Sequence, residues 1–346
     1  MNLDLPALWF GVAVLAWVLF WVLEGFDFGV GVLARVLGRD EDERGQAVAT
    51  VGPVWDGNEV WLVAAIGVMF AAFPDWYAAA LSGLYLPMVA LLLLLAVRGV
   101  AIEFRGKHFA PRWRARCDLA LAVSSALLAL LWGAVLGVLA TGLALGVDGE
   151  VAGTGPSRSL APLLSPGAGL GALLGLGLCL LQGATFLGLR TTGPLRRRAR
   201  RVALAVAVLL TAALGGVGAL HGPPVLLVAA AAPALVAVLV LGRREALAFT
   251  ASSLTVAAGV VATFTAHLGA GVLLPSTLPG GADVTLRGAA SSPAALELIT
   301  VVGVVVLPAV LVYQIWSYRV FRHRVSGRGP AMPPRTPVRP GAPLSR

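Results

Sequence analysis

The stretch that decides the fold is Gly52-Pro53-Val54-Trp55-Asp56-Gly57-Asn58-Glu59-Val60-Trp61, which opens an apolar run ending at Phe73. Its last seven residues hold two carboxylates, one amide and two indoles. A charged side chain near the centre of a bilayer costs about 3 kcal/mol on insertion scales. The stretch therefore predicts a functional site inside a membrane, where a proton, an ion or a buried partner charge accounts for the acids.

A second acidic stretch, Leu23-Glu24-Gly25-Phe26-Asp27-Phe28-Gly29-Val30-Gly31, lies in the preceding apolar run. The polar connection between the two runs is centred near residue 41 or 42. Asp27 and Asp56 are equally far from that centre, and so are Glu24 and Glu59. In antiparallel helices equal distance from the turn means equal depth, because each residue rises about 1.5 Å. We expect two layers of acids in a shared polar cluster, with Glu24 and Glu59 one turn deeper; the alternatives are that each acid faces a lumen alone or pairs with an arginine.

The composition is that of a polytopic membrane protein. Apolar residues make up 58% of the chain and charged residues 12%, with a mean hydropathy of +0.87, whereas a soluble domain has about 25% charged residues. A window of about 20 residues finds nine apolar spans. They cover approximately residues 8–36, 48–73, 77–105, 118–146, 167–190, 200–220, 223–242, 246–270 and 296–321.

The positive charges predict the orientation. The connections after the first, third, fifth and seventh spans hold three, six, six and two Lys or Arg residues, whereas the alternate connections hold only Arg158 and Arg287. Basic connections stay in the cytoplasm, so we expect the N-terminus outside and the C-terminus inside a bacterial cytoplasmic membrane. The net charge of +9 then reflects topology and attraction to membrane lipid, and no nucleic-acid partner is expected.

We expect an all-α integral membrane protein with about nine transmembrane helices, because helices satisfy the backbone hydrogen bonds in lipid. A weak likeness between residues 23–29 and 181–188 suggests two four-helix bundles plus one extra helix, although a chance match of glycine-rich sequence explains it equally well. The expected division is 1–146 for the first bundle with the acid motifs, 147–270 for the second bundle, 271–325 for an outer loop and the ninth helix, and 326–346 for a disordered basic cytoplasmic tail.

Ligands for a redox centre are not apparent. Haem ligation inside a helical bundle needs His, Met or Cys at depth, but the four histidines lie at or beyond the ends of the spans. Met69 and Met88 are isolated, as core-filling methionines are, and Cys117 and Cys179 are expected at opposite ends of the membrane. We therefore expect this chain alone to bind no cofactor and to carry no electrons itself.

The two acidic runs closely resemble those of subunit II of cytochrome bd quinol oxidases. The resemblance extends over roughly residues 8 to 325 and includes Arg98-Gly-Val-Ala-Ile-Glu-Phe-Arg105, Gln182-Gly-Ala-Thr185 and Ser252-Ser-Leu-Thr255. It implies membership of a complex that oxidises quinol and reduces dioxygen to water. It also implies a heterodimer with a haem-bearing subunit I, which carries haem b558, haem b595 and haem d, and small single-helix accessory subunits.

The resemblance implies a role for individual residues. Asp56 corresponds to the acid that lines a proton path from the cytoplasm, and Asp27 and Arg98 correspond to an intramembrane acid and arginine. We expect Glu24 and Asp27 either to extend the relay or to pair with Arg98, and pairing is favoured for Asp27. Glu59 is either the next proton acceptor or a contact with subunit I.

Other polar residues are expected to support the site. Trp55 and Trp61 are interpreted as packing or interface residues, and Asn58 as orienting a water or capping a helix. Gln182 is expected to bridge helices, and Glu103 to pair with Arg105 at the membrane edge.

The alternative function is a proton-coupled secondary transporter, which also needs intramembrane acids. It is disfavoured because Gly25, Gly29, Gly31 and Gly57 interrupt one half of the chain only.

Overall fold

The computed structural model describes residues 4–108, 110–221 and 225–326, and only the backbone of residues 217–221 and 225–228. The described part is helical except for one short antiparallel pair of strands. Its helices are α1 Leu5–Leu37, α2 Glu41–Val51, α3 Trp55–Ala72, α4 Pro74–Gly83, α5 Tyr85–Arg105, α6 Pro111–Thr141, α7 Gly155–Leu160, α8 Pro166–Arg190, α9 Gly193–His221, α10 Val225–Leu241, α11 Glu245–Thr265 and α12 Pro293–Val320. Short 3₁₀ helices cover Ala161–Leu164 and Leu268–Ala270, and the strands are β1 Val272–Leu274 and β2 Val284–Thr285.

The helices make the chain a multi-pass membrane protein. Within the described residues seven helices are long and apolar enough to cross a membrane, or eight if α2 and α3, bent by 44°, form one span. A further apolar helix, Ala229–Leu241, is shorter. The all-α prediction is confirmed, while the number nine stays a prediction. Residues 222–224, where the predicted sixth and seventh spans meet, and the basic tail from residue 327 onward lie outside the described residues.

Two predicted spans are each built from two helices. The span predicted over 48–73 bends between α2 and α3, where Pro53 has no backbone N–H to donate. The span predicted over 77–105 begins as α4, breaks at Leu84 and continues as α5. Proline residues at the starts of α4 and near the start of α5 are compatible with a first helical turn, where an N–H would have no partner. The apolar composition alone carries no mark of these breaks.

Helix α1 lies at the centre of the fold and packs against α3, α6, α8 and α11. Its N-terminal half enters an aromatic core, in which the rings of Trp17 and Phe20 lie 5.5 and 5.1 Å from that of Trp132. Its C-terminal half packs Phe26 against Phe186 of α8, with ring centroids 4.2 Å apart. Packing on all sides buries the acidic stretch of α1 from Glu24 to Gly31.

Glycines let α1 and α8 cross closely. A Cβ atom added to Gly29 would lie 1.9 Å from the carbonyl oxygen of Cys179, and one added to Gly183 would lie 2.4 Å from the carbonyl carbon of Gly29. Small residues at such crossings are typical of membrane helices, whose backbones approach without side chains between them. The crossing holds α8 against the acidic half of α1.

The predicted loops at one end of the helices form an ordered cap. The connection after α6 contains α7, and the connection before α12 contains β1 and β2. The two connections join where the backbone N–H of Leu143 donates to the carbonyl oxygen of Pro275 and that of Thr277 donates to Leu143. This cap covers the end of the molecule opposite the basic connections.

Candidate functional site

Arg98 of α5 is fully buried and lies among three carboxyl groups. Its Nη1 is 2.5 Å from Glu24 Oε1 and 3.1 Å from Glu59 Oε1, and its Nη2 is 3.8 Å from Asp27 Oδ2. The guanidinium carbon also lies 5.1 Å from the centre of the Phe28 ring, a distance at which a cation is attracted to the ring face. These residues, Glu24, Asp27, Glu59 and Arg98, are called the Arg98 cluster.

The geometry agrees with the depth expected from the sequence. Glu24 and Glu59, which are equally far from the polar connection, both reach the same nitrogen of Arg98. Asp27 lies beside Asn58, whose Nδ2 donates to Asp27 Oδ2 over 2.7 Å. The pairing expected between Arg98 and Asp27 is the longest of the three ion pairs, and Glu24 is the closest partner.

Asp56 lies apart from the cluster. Its side chain is exposed at the surface of α3. Glu59, one turn further along the helix, has 25% of its side chain exposed and forms an ion pair with Arg98. The prediction that Asp56 shares a polar layer with Asp27 is therefore wrong. Two residues at equal depth on neighbouring helices meet only if their side chains point toward each other, and equal depth does not determine that direction. Asp56, Glu59 and Glu24 form a series from the surface to the interior.

The Arg98 cluster holds more acid than base. Three carboxylates face one guanidinium, so the cluster would carry two uncompensated negative charges if all its groups were ionised. A buried charge without a partner is strongly unfavourable. Glu24 Oε2 and Asp27 Oδ1 are both buried and make no hydrogen bond within the described residues. Such a cluster is suited to taking up and releasing protons.

Asn58 connects the cluster to α12. Its side chain is fully buried, and its Oδ1 accepts hydrogen bonds from Gln314 Nε2 at 3.1 Å and Tyr318 Oη at 2.8 Å. The sequence interpretation missed Gln314 and Tyr318. The available signal was their spacing of four residues, which places them on one face of a largely apolar helix.

The remaining predicted site residues have structural contacts. Trp55 packs on α5, where a Cβ added to Gly99 would lie 3.0 Å from its ring, and Trp61 is buried. Gln182 Nε2 donates to the carbonyl oxygen of Val22 over 2.8 Å and to Ser253 Oγ over 3.2 Å. Gln182 therefore bridges α1, α8 and α11 and does not contact Arg98.

A second group of ion pairs lies at the basic end of the helices. Asp118 is buried between Arg44 and Arg105, at 3.2 and 2.6 Å. The expected pairing of Glu103 with Arg105 is wrong, because residues two apart on a helix point in different directions and Arg105 turns toward α6. Glu245 similarly forms ion pairs with Arg196, at 2.5 Å, and with Arg324, at 3.0 Å. These pairs tie helix ends together at the surface.

Two side chains that could ligate a haem have hydrogen-bond partners within the described residues. Of the candidate axial ligands, His267 bonds to the carbonyl oxygen of Ala140 near the capped end, and the sulfur of Met69 accepts the indole N–H of Trp17 at 3.3 Å. Cys117 and Cys179 are buried and unbridged. The described part of the chain has no cluster of three or more His, Cys, Asp and Glu residues with the geometry of a metal site.

Comparisons with known proteins give one family. The model of cytochrome bd terminal oxidase subunit II matches residues 5–321. The chain is 35% identical to cytochrome bd ubiquinol oxidase subunit 2 of Bacillus subtilis, over 94% of this chain and 98% of that protein. It is 34% identical to cytochrome bd-I ubiquinol oxidase subunit 2 of Escherichia coli K12, over 90% of this chain and 92% of that protein.

A solved structure shares the fold. A chain of the bd oxidase from Geobacillus thermodenitrificans superposes with a TM-score of 0.63 at 19% identity, over 92% of this chain and 97% of that chain. The alternative of a secondary transporter is not favoured, because the family match spans nearly all of the described helices. The chain belongs to the cytochrome bd terminal oxidase subunit II family.

Proposed function

We propose that this chain, as subunit II of a quinol oxidase, supports a haem-bearing subunit I and provides a proton path from the cytoplasm for the reduction of dioxygen to water. The observation that carries the proposal is the series of carboxyls that leads from the exposed Asp56 through Glu59 to the buried Glu24 and Asp27. Intramembrane acids of this kind mark proton relays.

Each residue of the series has a distinct task. Asp56 exchanges protons with water, and Glu59 lies one turn away on the same helix, within reach of a side-chain rotation or one bridging water. Glu59 and Glu24 share Nη1 of Arg98, so a proton on one of them strengthens the pairing of the other. Glu24 and Asp27 hold protons in the sealed interior.

Arg98 and the neighbouring polar residues maintain the path. Arg98 compensates the negative charge of whichever carboxyl in the cluster is ionised. The proton therefore has a similar energy on each carboxyl in turn. Asn58 fixes the carboxyl of Asp27, Trp55 fills the contact between α3 and α5, and Gln182 holds α8 and α11 against α1. A path needs this rigidity because proton transfer requires hydrogen-bonded distances.

The proposed arrangement has nine spans in a bacterial cytoplasmic membrane, with the N-terminus outside and the C-terminus inside. Two four-helix bundles, 1–146 and 147–270, are supported by the succession of contacts α8 to α9, α9 to α10, α10 to α11 and α11 to α8. Residues 271–325 then form the outer loop and the ninth helix, and 326–346 the basic tail. The basic connections at the end opposite the cap support the orientation.

The proposed cofactors belong to the partner. Haem b558, haem b595 and haem d are assigned to subunit I, which is supported by the occupied or peripheral positions of the His and Met side chains described above. Quinol is the electron donor of the complex. Small single-helix subunits and membrane lipid are the further proposed partners.

Replacement of Asp56 tests the proton path. Asp56→Asn keeps the shape of the side chain and removes the titratable group, so oxygen consumption by the purified complex should fall about tenfold, equivalent to about 1.4 kcal/mol on the limiting barrier. Haem content and subunit ratio should remain normal. Asp75→Asn is the matched control, since Asp75 is also exposed in the first turn of a helix but lies at the capped end. Normal oxygen consumption by the Asp56→Asn complex would contradict entry at Asp56.

A further inference from the structure

The amide of Asn58 is fully occupied. Its Nδ2 donates to Asp27 Oδ2 over 2.7 Å and to the carbonyl oxygen of Leu23 over 3.3 Å. Its Oδ1 accepts from Gln314 Nε2 and Tyr318 Oη of α12. A side-chain amide offers two donor hydrogens and two acceptor lone pairs, so this buried group has no unused capacity.

The backbone determines which way the amide points. The carbonyl oxygen of Leu23 can only accept a hydrogen bond, so the NH₂ group of Asn58 must face α1. The amide oxygen is then left toward α12, where two donors saturate it. The contacts from α12 consequently hold Asn58 as a donor toward Asp27.

Orientation of Asn58 makes the two oxygens of Asp27 unequal. Oδ2 receives the amide hydrogen and lies 3.8 Å from Arg98 Nη2, so it serves as an acceptor. Oδ1 is buried and has no hydrogen-bond partner within the described residues. A proton on Asp27 is accommodated at Oδ1, where it meets no competing donor.

We propose that Tyr318 and Gln314 are positioning residues for the proton path, which act through Asn58 to fix the carboxyl of Asp27 and direct its proton to Oδ1. This inference rests on the proposed function of the Arg98 cluster. It adds α12 to the site, a helix that the acidic motifs do not include and that packs chiefly against α1 and α3.

Other groups that face Asp27 set the electrostatic background. Arg98 faces it from α5, Glu59 from α3 and Glu24 from its own helix. Tyr318 faces it from α12, while Cys179 of α8 lies nearer Glu24. Tyr318→Phe leaves each of these charges in place and removes one hydrogen bond to Asn58.

The test uses the assembled oxidase and measures turnover against pH. Tyr318→Phe frees one lone pair of Asn58 and loosens its donation to Asp27, so turnover should fall about fivefold, the effect of one hydrogen bond on a barrier. The ionised form of Asp27 is then stabilised by a weaker hydrogen bond from Asn58. The alkaline pH at which turnover falls should therefore rise by about half a pH unit. Tyr313→Phe is the control on the same helix, since Tyr313 is exposed and contacts Trp316; it should change neither quantity.

A double-mutant cycle separates positioning from general stability. In an Asp27→Asn background, Tyr318→Phe should cause no further loss of turnover, because the group on which it acts is already gone. Gln314→Met removes the other donor with little change in shape, and should shift the pH profile in the same direction if Tyr318→Phe fails to assemble. An unchanged pH profile in both α12 variants, with normal haem content, would overturn the positioning role. Full turnover of Asp27→Asn itself would instead overturn the proposed proton path through the cluster.

Discussion

At the scale of single residues, Arg98 controls the charge of the site. Among the described residues it is the cation that contacts the buried carboxyls of Glu24 and Asp27 and the partly exposed carboxyl of Glu59. Glu24 and Glu59 share a single nitrogen of its guanidinium. Removing one member of a buried ion pair is typically destabilising by about 3–5 kcal/mol, because the remaining charge is left without compensation. The loss of Arg98 should therefore affect assembly as well as activity.

Replacing Arg98 should separate these effects. Arg98→Leu leaves the three carboxyls without a cation, and we expect little assembled complex in the membrane, measured by haem content per milligram of membrane protein. Arg98→Lys retains the charge but has fewer donors, so assembly should largely recover while turnover stays reduced. Arg116→Leu, at an exposed position near the start of α6, is the control and should assemble normally. Full haem content in Arg98→Leu would show that the cluster does not need its cation.

Much of the residue-scale site could be predicted from the sequence, within a clear limit. Counting residues from the polar connection gives the height of an acid, and this correctly grouped Glu24 with Glu59. This count does not give the rotation of a helix about its own axis. For α3 that rotation depends on the bend between α2 and α3, so the direction of the Asp56 side chain was predicted wrongly. Tyr318 approaches Asn58 across 260 residues of chain, a pairing that no local pattern encodes.

At the scale of elements, the crossing of α1 and α8 determines how tightly the acidic stretch is enclosed. Gly29 and Gly183 lie against the backbone of the opposite helix, while Gln182, next to Gly183, donates to the carbonyl oxygen of Val22, seven residues before Gly29 on α1. The sequence has many glycines in α1 and α8. It could not predict which glycines meet, since several glycines of α1 and α8 were equally available.

A methyl group at this crossing should disturb the enclosure. Gly29→Ala places a Cβ 1.9 Å from the carbonyl oxygen of Cys179, so the helices must separate, at a cost of about 1–3 kcal/mol for overpacking. We expect a lower temperature of haem loss for the purified complex. Gly11→Ala on the same helix is the matched control, because nothing lies within 4 Å of its added Cβ. Equal thermal stability of the two variants would contradict the close crossing.

At the scale of the whole molecule, α12 is the least enclosed of the seven described helices that are long and apolar enough to cross a membrane. Only 6% of its most apolar segment is buried, against 44% for α1 and 50% for α6 and α8. A hydrophobic helix so exposed is covered either by lipid or by another protein in the membrane. In its sequence this helix is as apolar as the enclosed ones, because lipid and the protein interior select the same residue types.

Expression of the chain alone and with its partner tests the division of labour. The isolated chain should show no haem absorption band, because the histidines lie at or beyond the predicted ends of the spans and the sulfur of Met69 already accepts a hydrogen bond from Trp17. Copurified with subunit I, it should show high-spin and low-spin haem signals. Stoichiometric haem bound to the isolated chain would show that it carries a redox centre of its own.

Reporter fusions test the overall orientation. A reporter after Arg201, in the basic first part of α9, should be cytoplasmic, and one near Gly155, in the cap, should be outside. The positive charges account for this expectation. The opposite labelling would reverse the direction proposed for proton entry.

Because Glu24 and Asp27 are completely buried, they also lie within the electric field that the transmembrane voltage sets up. One elementary charge that crosses the whole membrane gains or loses about 2.3 kcal/mol per 100 mV, and a proton that enters the sealed cluster crosses a part of that field. The surface group Asp56 experiences much less of it. Polarising vesicles that contain the oxidase should therefore change the proton occupancy of the cluster, and with it turnover, at constant pH on both sides. In this way the turnover of the complex would respond to the voltage across the membrane in which it lies.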